Sequence, residues 1–334
     1  MSVGVIGSGK FGLTLSKIIS ENSNNVTIFT RRDNEAESIN SSRKSLSGFV
    51  FDSNNVRATC APKDLDDCKH IFITTPSHDF SKVVEKFIFE GDEKVVITCT
   101  KGLEDSTSRL MSEILLDDFK LDENKLVVLS GPNLASEILN KETTATVLAS
   151  KSKSVLEEVN NFLKTDYFIP YYSNDTSGVE LAGALKNIYA IVSGYFNGMN
   201  VGQNTMGFLL TKSLEEMRLY SQSRGANLST FLGLAGVGDF FSTALSPDSR
   251  NHQFGNYLSQ GFSVEESLQR VGDIVEGLRT SKIVYEDCKR KNLNLKILKF
   301  LNDVYSRKED YEGAKKLLFS DKFQSDVSKD WSKI

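Results

Sequence analysis

The first dozen residues constrain this chain more than any other stretch. VGVI at Val3–Ile6 runs straight into GSGKFG, and helix-like LTLSKII follows. Gly7, Gly9 and Gly12 therefore stand in G-x-G-x-x-G spacing between a strand and a helix. The first glycine permits a tight turn and the second lets backbone approach a pyrophosphate. The third lets the helix pack close to the strand, while the helix N-terminus faces the anion. The pattern predicts a dinucleotide site opening a parallel α/β sheet.

The rest of the first half agrees. β-rich runs recur at Val3–Ile6, Asn25–Thr30, His70–Thr75, Lys94–Thr98, Leu126–Leu129 and Thr143–Leu148, with a further one at Tyr167–Tyr172. Amphipathic runs such as Phe11–Ile19 and Phe80–Phe87 lie between them, and Ser154 with Glu157 reads as a capping box. This alternation predicts βαβ units and a mostly parallel sheet. Near Asn174–Gly178 the character changes. Helices are expected at Gly178–Asn197 and Thr205–Arg224, with Gly225 as a C-cap and Ser263 with Glu266 as another capping box. The fold class is α/β: an N-terminal Rossmann-like domain over 1–175 and a C-terminal all-α domain over 176–334. The polar end, SDKFQSDVSKDWSKI, reads as a fraying terminus.

Composition removes several function classes. A net charge of −4 and a pI near 5.6 argue against a general nucleic-acid binder. No apolar run approaches the ~18 residues that span a membrane, so no membrane insertion is expected. Strand-like sequence at the very start leaves no room for a signal peptide. Cys60, Cys68, Cys99 and Cys288 form no C-x-x-C pair, and the three histidines have no ligand spacing. Reduced thiols, a cytoplasmic setting and no metal follow.

The second strand is followed by Arg31 and Arg32, where a carboxylate usually selects NAD. Guanidinium groups suit a 2′-phosphate, so the cofactor is NAD or NADP, with NADPH plausible. Three further clusters carry chemistry. CTKGLE presents Lys101 at the C-terminal end of a strand, the edge at which open sheets bind ligands. SGPNLASEI turns at Gly131 and begins a helix near Leu134, with Asn133 able to meet a ligand oxygen. GLAGVGDFFSTALSPDSRNHQFG sets Asp239 in an apolar, glycine-rich stretch and follows it with Ser249, Arg250 and Asn251, the donors a phosphate monoester needs. Finally, ELAGALKNIYAIVSGYFNGM places Lys186 in an apolar helix beside Ala182, Gly183, Tyr189 and Ala190, all small but the tyrosine. A buried ammonium needs a partner, and small neighbours leave room for a ligand.

Together these segments resemble the bacterial type of the NAD(P)-dependent glycerol-3-phosphate dehydrogenase family. GSGKFG, CTKGLE, SGPNLASEI, GVELAGALKNIYAI, GLAGVGD…SRNHQFG and VEGLRT occur in the family's order across nearly the whole chain. The resemblance implies Lys186 as the catalytic acid/base, with Asp239 neutralising and orienting it. It implies Lys101, Gly131, Asn133, Ser249, Arg250 and Asn251, together with Lys186 and Asp239, as the substrate site. Gly7, Gly9, Lys10, Phe11, Gly12, Arg31, Arg32, Lys101, Ala135, Arg250, Ile274 and Glu276 would line the dinucleotide. Asn133 stands where the family has Ser or Thr, Lys10 replaces a small residue, Phe11 a common Trp, and Lys212 a usual Arg.

The implied reaction reduces dihydroxyacetone phosphate to sn-glycerol 3-phosphate, a small phosphorylated triose/glycerol pair that feeds glycerophospholipid synthesis. Two other readings stand beside it. One is a related hydroxy-acid dehydrogenase on the same scaffold, which the Ser249-Arg250-Asn251 set disfavours. The other is a catalytically silent dinucleotide sensor, which would be expected to lack Lys186 or Asp239. The sequence leaves oligomeric state open, a homodimer being one option.

Overall fold

Period-two alternation of apolar residues lets each strand cover two layers of core. In β1 (Ser2–Ile6), Val3 and Val5 join one hydrophobic cluster and Ile6 joins the other. The computed structural model describes residues 2–87, 89, 94–307 and 313, and the polar C-terminal stretch from Ser320 lies outside them. The strands are completed by β2 (Asn25–Phe29), β3 (Val56–Thr59), β4 (His70–Ile73), β5 (Val95–Thr98), β6 (Leu126–Ser130), β7 (Thr144–Ala149) and β8 (Phe168–Ser173). They form one eight-stranded sheet in the order β3-β2-β1-β4-β5-β6-β7-β8. Neighbours run parallel except at β6–β7, which is antiparallel.

Helices cover both faces of the sheet. α1 (Lys10–Glu21), α2 (Asp33–Ser42), α5 (Ala135–Leu139) and α6 (Lys153–Leu163) pack in the cluster of Val3, Val5 and Phe72. α3 (Phe80–Val84) and α4 (Met111–Asp117) pack in the cluster of Ile6, Ile71 and Ile73. The strand order reverses between β1 and β4, which puts the glycine-rich turn at a topological switch point. Two details differ from the sequence reading. The cap of α6 is Ser152, whose Oγ accepts from the Val155 N–H, while Ser154 falls inside the first turn. Two serines two residues apart compete for the cap, and the extended backbone at Ser152 decides it. Strand β3, VRAT, had no signal of its own. It is a four-residue edge strand whose Arg57 is held by the Thr27 hydroxyl at 3.0 Å.

The remaining helices are α7 (Thr176–Gly198), α8 (Gln203–Gln222), α9 (Asp239–Ala244), α10 (Arg250–Ser259), α11 (Val264–Val271), α12 (Glu276–Arg290) and α13 (Lys296–Tyr305). The capping box of Ser263 and Glu266 starts α11, and Gly225 takes the left-handed φ of +78° after α8. The chain divides into two compact units, Met1–Ala184 with Ala226–Asp239 and Leu185–Gly225 with Phe240–Ile334. Among the described residues no helix is long and apolar enough to cross a membrane.

Within the first unit, Asp175 ties the returning segment down. Its carboxylate accepts from the Gly178 N–H at 3.0 Å, the Asn227 N–H at 3.1 Å and the Thr230 hydroxyl at 2.6 Å. Within the second unit, α10 lies against α7 at backbone distance. A Cβ on Gly255 would collide with the Ile191 carbonyl, and one on Gly194 with the His252 carbonyl. Aromatic contacts of Phe300 with Tyr195 and Phe196, at 5.5 and 5.6 Å between centroids, seat α13 on α7.

Candidate active site

The glycine-rich turn has the shape a pyrophosphate needs. Gly7 sits at φ +116°, closed to side chains, and a Cβ on Gly12 would collide with the Gly7 carbonyl. A Cβ on Gly9 would meet nothing within 4 Å, so the turn is open on that side. Gly9 also caps α1 with no side-chain hydrogen bond, leaving the first N–H groups of the helix to a ligand. These observations fit a dinucleotide. Lys10 is exposed and Phe11 packs partly against the core. At the end of β2, the Ser8 and Thr30 hydroxyls lie 2.9 Å apart. Arg31 pairs with Asp79 at 2.9 Å and Arg32 with Glu35 at 3.6 Å. Ala135 opens α5.

The loop after β5 and the segment before α9 meet within the first unit. Lys101 Nζ donates to the Asp239 carboxylate at 2.8 Å and to the Gly131 carbonyl at 3.2 Å. Asp239 is brought there by a π turn, Leu234–Gly238, closed by a hydrogen bond from the Gly238 N–H to the Gly233 carbonyl. Ala235 in that turn is buried with Val128, Val147, Ala149 and Val179. Asp239 is 0 % exposed, so its pairing with Lys101 replaces hydration. Gly131 has φ +132°. Asn133 donates to the Thr146 hydroxyl at 3.0 Å. A Cβ on Gly183 would collide with Ser130 Oγ, so the approach of β6 also calls for glycine there.

In the second unit, Lys186 is only 6 % exposed, and its Nζ donates to Thr243 Oγ1 at 2.7 Å. Beside Lys186, Asn187 accepts at 3.0 Å from the Asn251 amide, whose oxygen accepts from the Gly277 N–H at 3.0 Å. The starts of α10 and α12 are thus fastened to α7, and Asn251 serves that junction with both ends of its amide. Ser249 caps α10, its hydroxyl accepting from the His252 N–H at 3.4 Å. Arg250, at the first position of α10, reaches Asp273 at 2.7 Å. Ile274 is exposed, and Glu276 opens α12, whose N-cap Val275 supplies no side-chain cap.

Two family models cover most of the chain. One, for the NAD-dependent glycerol-3-phosphate dehydrogenase N-terminus, matches residues 2–156, and its C-terminal counterpart matches 175–316. The chain belongs to this dehydrogenase family. Glycerol-3-phosphate dehydrogenase [NAD(P)+] of Pseudomonas aeruginosa (strain LESB58) is 40 % identical over 85 % of this chain and 84 % of its own length. The like-named protein of Alcanivorax borkumensis is 35 % identical over 97 % of this chain and 95 % of its own. The crystal structure of glycerol-3-phosphate dehydrogenase from Coxiella burnetii superposes with a TM-score of 0.88 at 27 % identity, covering 95 % of this chain and 98 % of that one.

Several residues that bond the candidate side chains, or hold the segments carrying them, escaped the sequence reading. Thr243 is one residue type among many in FFSTAL, and nothing in the pattern names it as the acceptor for Lys186. Asn187 stands next to Lys186 but pairs with a residue 64 positions away. Asp79, Asp175 and Asp273 are carboxylates in short connecting segments with no motif of their own. Glu180 was part of the quoted motif, yet its task is structural: buried, it accepts from the Met111 and Ser112 N–H groups at 2.8 and 3.2 Å. Burial raises its carboxyl to about 7, against the pull of those donors.

Proposed function

We propose that this chain reduces dihydroxyacetone phosphate to sn-glycerol 3-phosphate with NADH or NADPH, and that Lys186 supplies the proton. Membership of the dehydrogenase family gives the reaction. The observation that carries the residue assignment is a buried lysine whose ammonium donates to the Thr243 hydroxyl at 2.7 Å. A side chain so held is preorganised for proton transfer. When bound, the cofactor supplies the hydride that C2 of the substrate accepts. Lys186 Nζ gives its proton to the carbonyl oxygen, which becomes the C2 hydroxyl. Asp239 supplies counter-charge and fixes Lys101, the partner found at 2.8 Å.

Lys101 and Arg250 are read as cations for the substrate phosphate, with Gly131, Asn133, Ser249 and Asn251 shaping the surroundings. Gly7, Gly9, Lys10, Phe11, Gly12, Arg31, Arg32, Ala135, Ile274 and Glu276 are read as the dinucleotide lining, with Lys101 and Arg250 shared. Residues 1–175 form the cofactor-binding part and 176–334 the catalytic part. The change from strands to helices at Thr176 and the bounds of the two family models support that division. A cytoplasmic setting fits four cysteines that carry no disulfide, and the product is a glycerophospholipid precursor.

The test is a comparison of kcat/KM for dihydroxyacetone phosphate and unphosphorylated dihydroxyacetone, each with NADH and NADPH. The native ratio should be large, and Arg250→Lys should shrink it by raising KM, since a point charge does not replace a guanidinium fork. A native ratio near unity would sink the glycerol-phosphate reading.

A further inference from the structure

The two arginines after β2 do not stand in a positive field. Arg31 Nη2 lies 2.9 Å from an Asp79 carboxylate oxygen, and Arg32 Nη2 lies 3.6 Å from one of Glu35. Glu35 is committed to the fold: it is 0 % exposed and accepts from the Leu46 N–H at 2.9 Å. Asp79 is different. It ends a single 3₁₀ turn, Ser77–Asp79, in the connection between β4 and α3, and its side chain is 21 % exposed. The Nε2 of His78 also lies 3.8 Å from that carboxylate oxygen.

We propose that Asp79 is a specificity-determining residue for the cofactor: by neutralising Arg31 it keeps the chain from favouring a 2′-phosphate over a 2′-hydroxyl. The proposal rests on the reading that Arg31 faces the adenosine ribose. In dinucleotide folds the residue that discriminates at this ribose normally follows β2. Here the carboxylate instead arrives from the connection after β4 and acts through the guanidinium. A dianionic phosphate brought to Arg31 meets a cation already paired and a carboxylate beside it. A ribose hydroxyl meets no such repulsion, because it carries no charge. Asp79 thus lowers affinity for the phosphorylated ribose and leaves the unphosphorylated one nearly untouched.

The test uses two ligands that differ by the 2′-phosphate alone, 2′,5′-ADP and 5′-AMP, titrated calorimetrically at low ionic strength. The proteins are the native chain, Asp79→Asn, Arg31→Ala and the double variant. Asp79→Asn should bind 2′,5′-ADP about threefold to tenfold more tightly with 5′-AMP little changed, the scale of an exposed charge contact with a divalent anion. The gain should fade with added salt and vanish on the Arg31→Ala background. The kcat/KM ratio of NADPH to NADH should rise in the same variant. If Arg31→Ala weakens 2′,5′-ADP while Asp79→Asn leaves it unchanged or weakens it too, Asp79 is neutral or a positioning group and the proposal is overturned. If Arg31→Ala changes neither ligand, the underlying reading of Arg31 fails, and the proposal falls with it.

Discussion

Lys101 Nζ donates to the Asp239 carboxylate across 2.8 Å, joining the loop after β5 to the end of a π turn 138 residues further on. The pair unites two segments that the sequence offered as separate contributors. The family resemblance implies a substrate contact for Lys101 and a role beside Lys186 for Asp239. Asp239 is buried, whereas the Lys101 side chain keeps 22 % exposure.

Removing the carboxylate leaves the Lys101 ammonium short of a partner in a half-buried place. Asp239→Asn should therefore lower stability by about 1–3 kcal/mol, a value discounted for the solvent that reaches Lys101. Urea unfolding would measure it. KM for dihydroxyacetone phosphate should rise alongside, because Lys101 is no longer held. An unchanged midpoint with unchanged KM would mean the pair is incidental.

Lys186→Ala should cut kcat by about a hundredfold or more, the usual scale for general acid–base catalysis, while NADH still binds. Thr243→Val keeps the shape of the side chain and removes the hydroxyl that accepts from Lys186. Its loss in kcat should be smaller, about tenfold, because the ammonium is less firmly positioned. Steady-state kinetics separates the two. Near-native turnover in Lys186→Ala would remove the proton-transfer assignment.

Buried Glu180 and Glu216 give the stability an unusual pH slope. Glu216 accepts from the Ile297 and Leu298 N–H groups at 2.7 and 3.1 Å and from the Tyr189 hydroxyl at 3.1 Å, yet burial raises its carboxyl to about 7, as it does for Glu180. A raised carboxyl binds its proton more tightly in the folded chain. Its contribution is full below the ordinary value of 4.5 and is lost as pH climbs to about 7. Each glutamate can move stability by about 3 kcal/mol across that window. Melting temperature should fall from pH 5 to 8, and Glu180→Gln or Glu216→Gln should flatten the slope. A melting temperature that rises over the same range, with these variants unchanged, would contradict the burial account.

β-rich runs made β1, β2, β4, β5, β6, β7 and β8 legible, the last through its aromatic residues although it too is an edge strand. Strand β3 was not, being four residues long with the exposed Arg57 among them. On the site side, Lys186 was legible because a cation in an apolar helix is costly. Its partner was not, because a threonine hydroxyl leaves no trace in composition. Asn251 reads as a phosphate donor from its place beside Arg250. Its amide also bonds Asn187 and Gly277, a long-range pairing that no local pattern encodes.

The crossing of α7 and α10 bears on how this scaffold can be re-engineered. At Gly194 and Gly255 the two backbones touch, so the crossing has no side chains to trade and cannot be tuned by small steps. Any library aimed at a new substrate should hold these two glycines constant. Diversity belongs instead at positions such as Asp273 and Ile274, which lie on the loop leading into α12 and are exposed. There a change of side chain alters what Arg250 meets without disturbing the helices that carry Lys186 and Arg250.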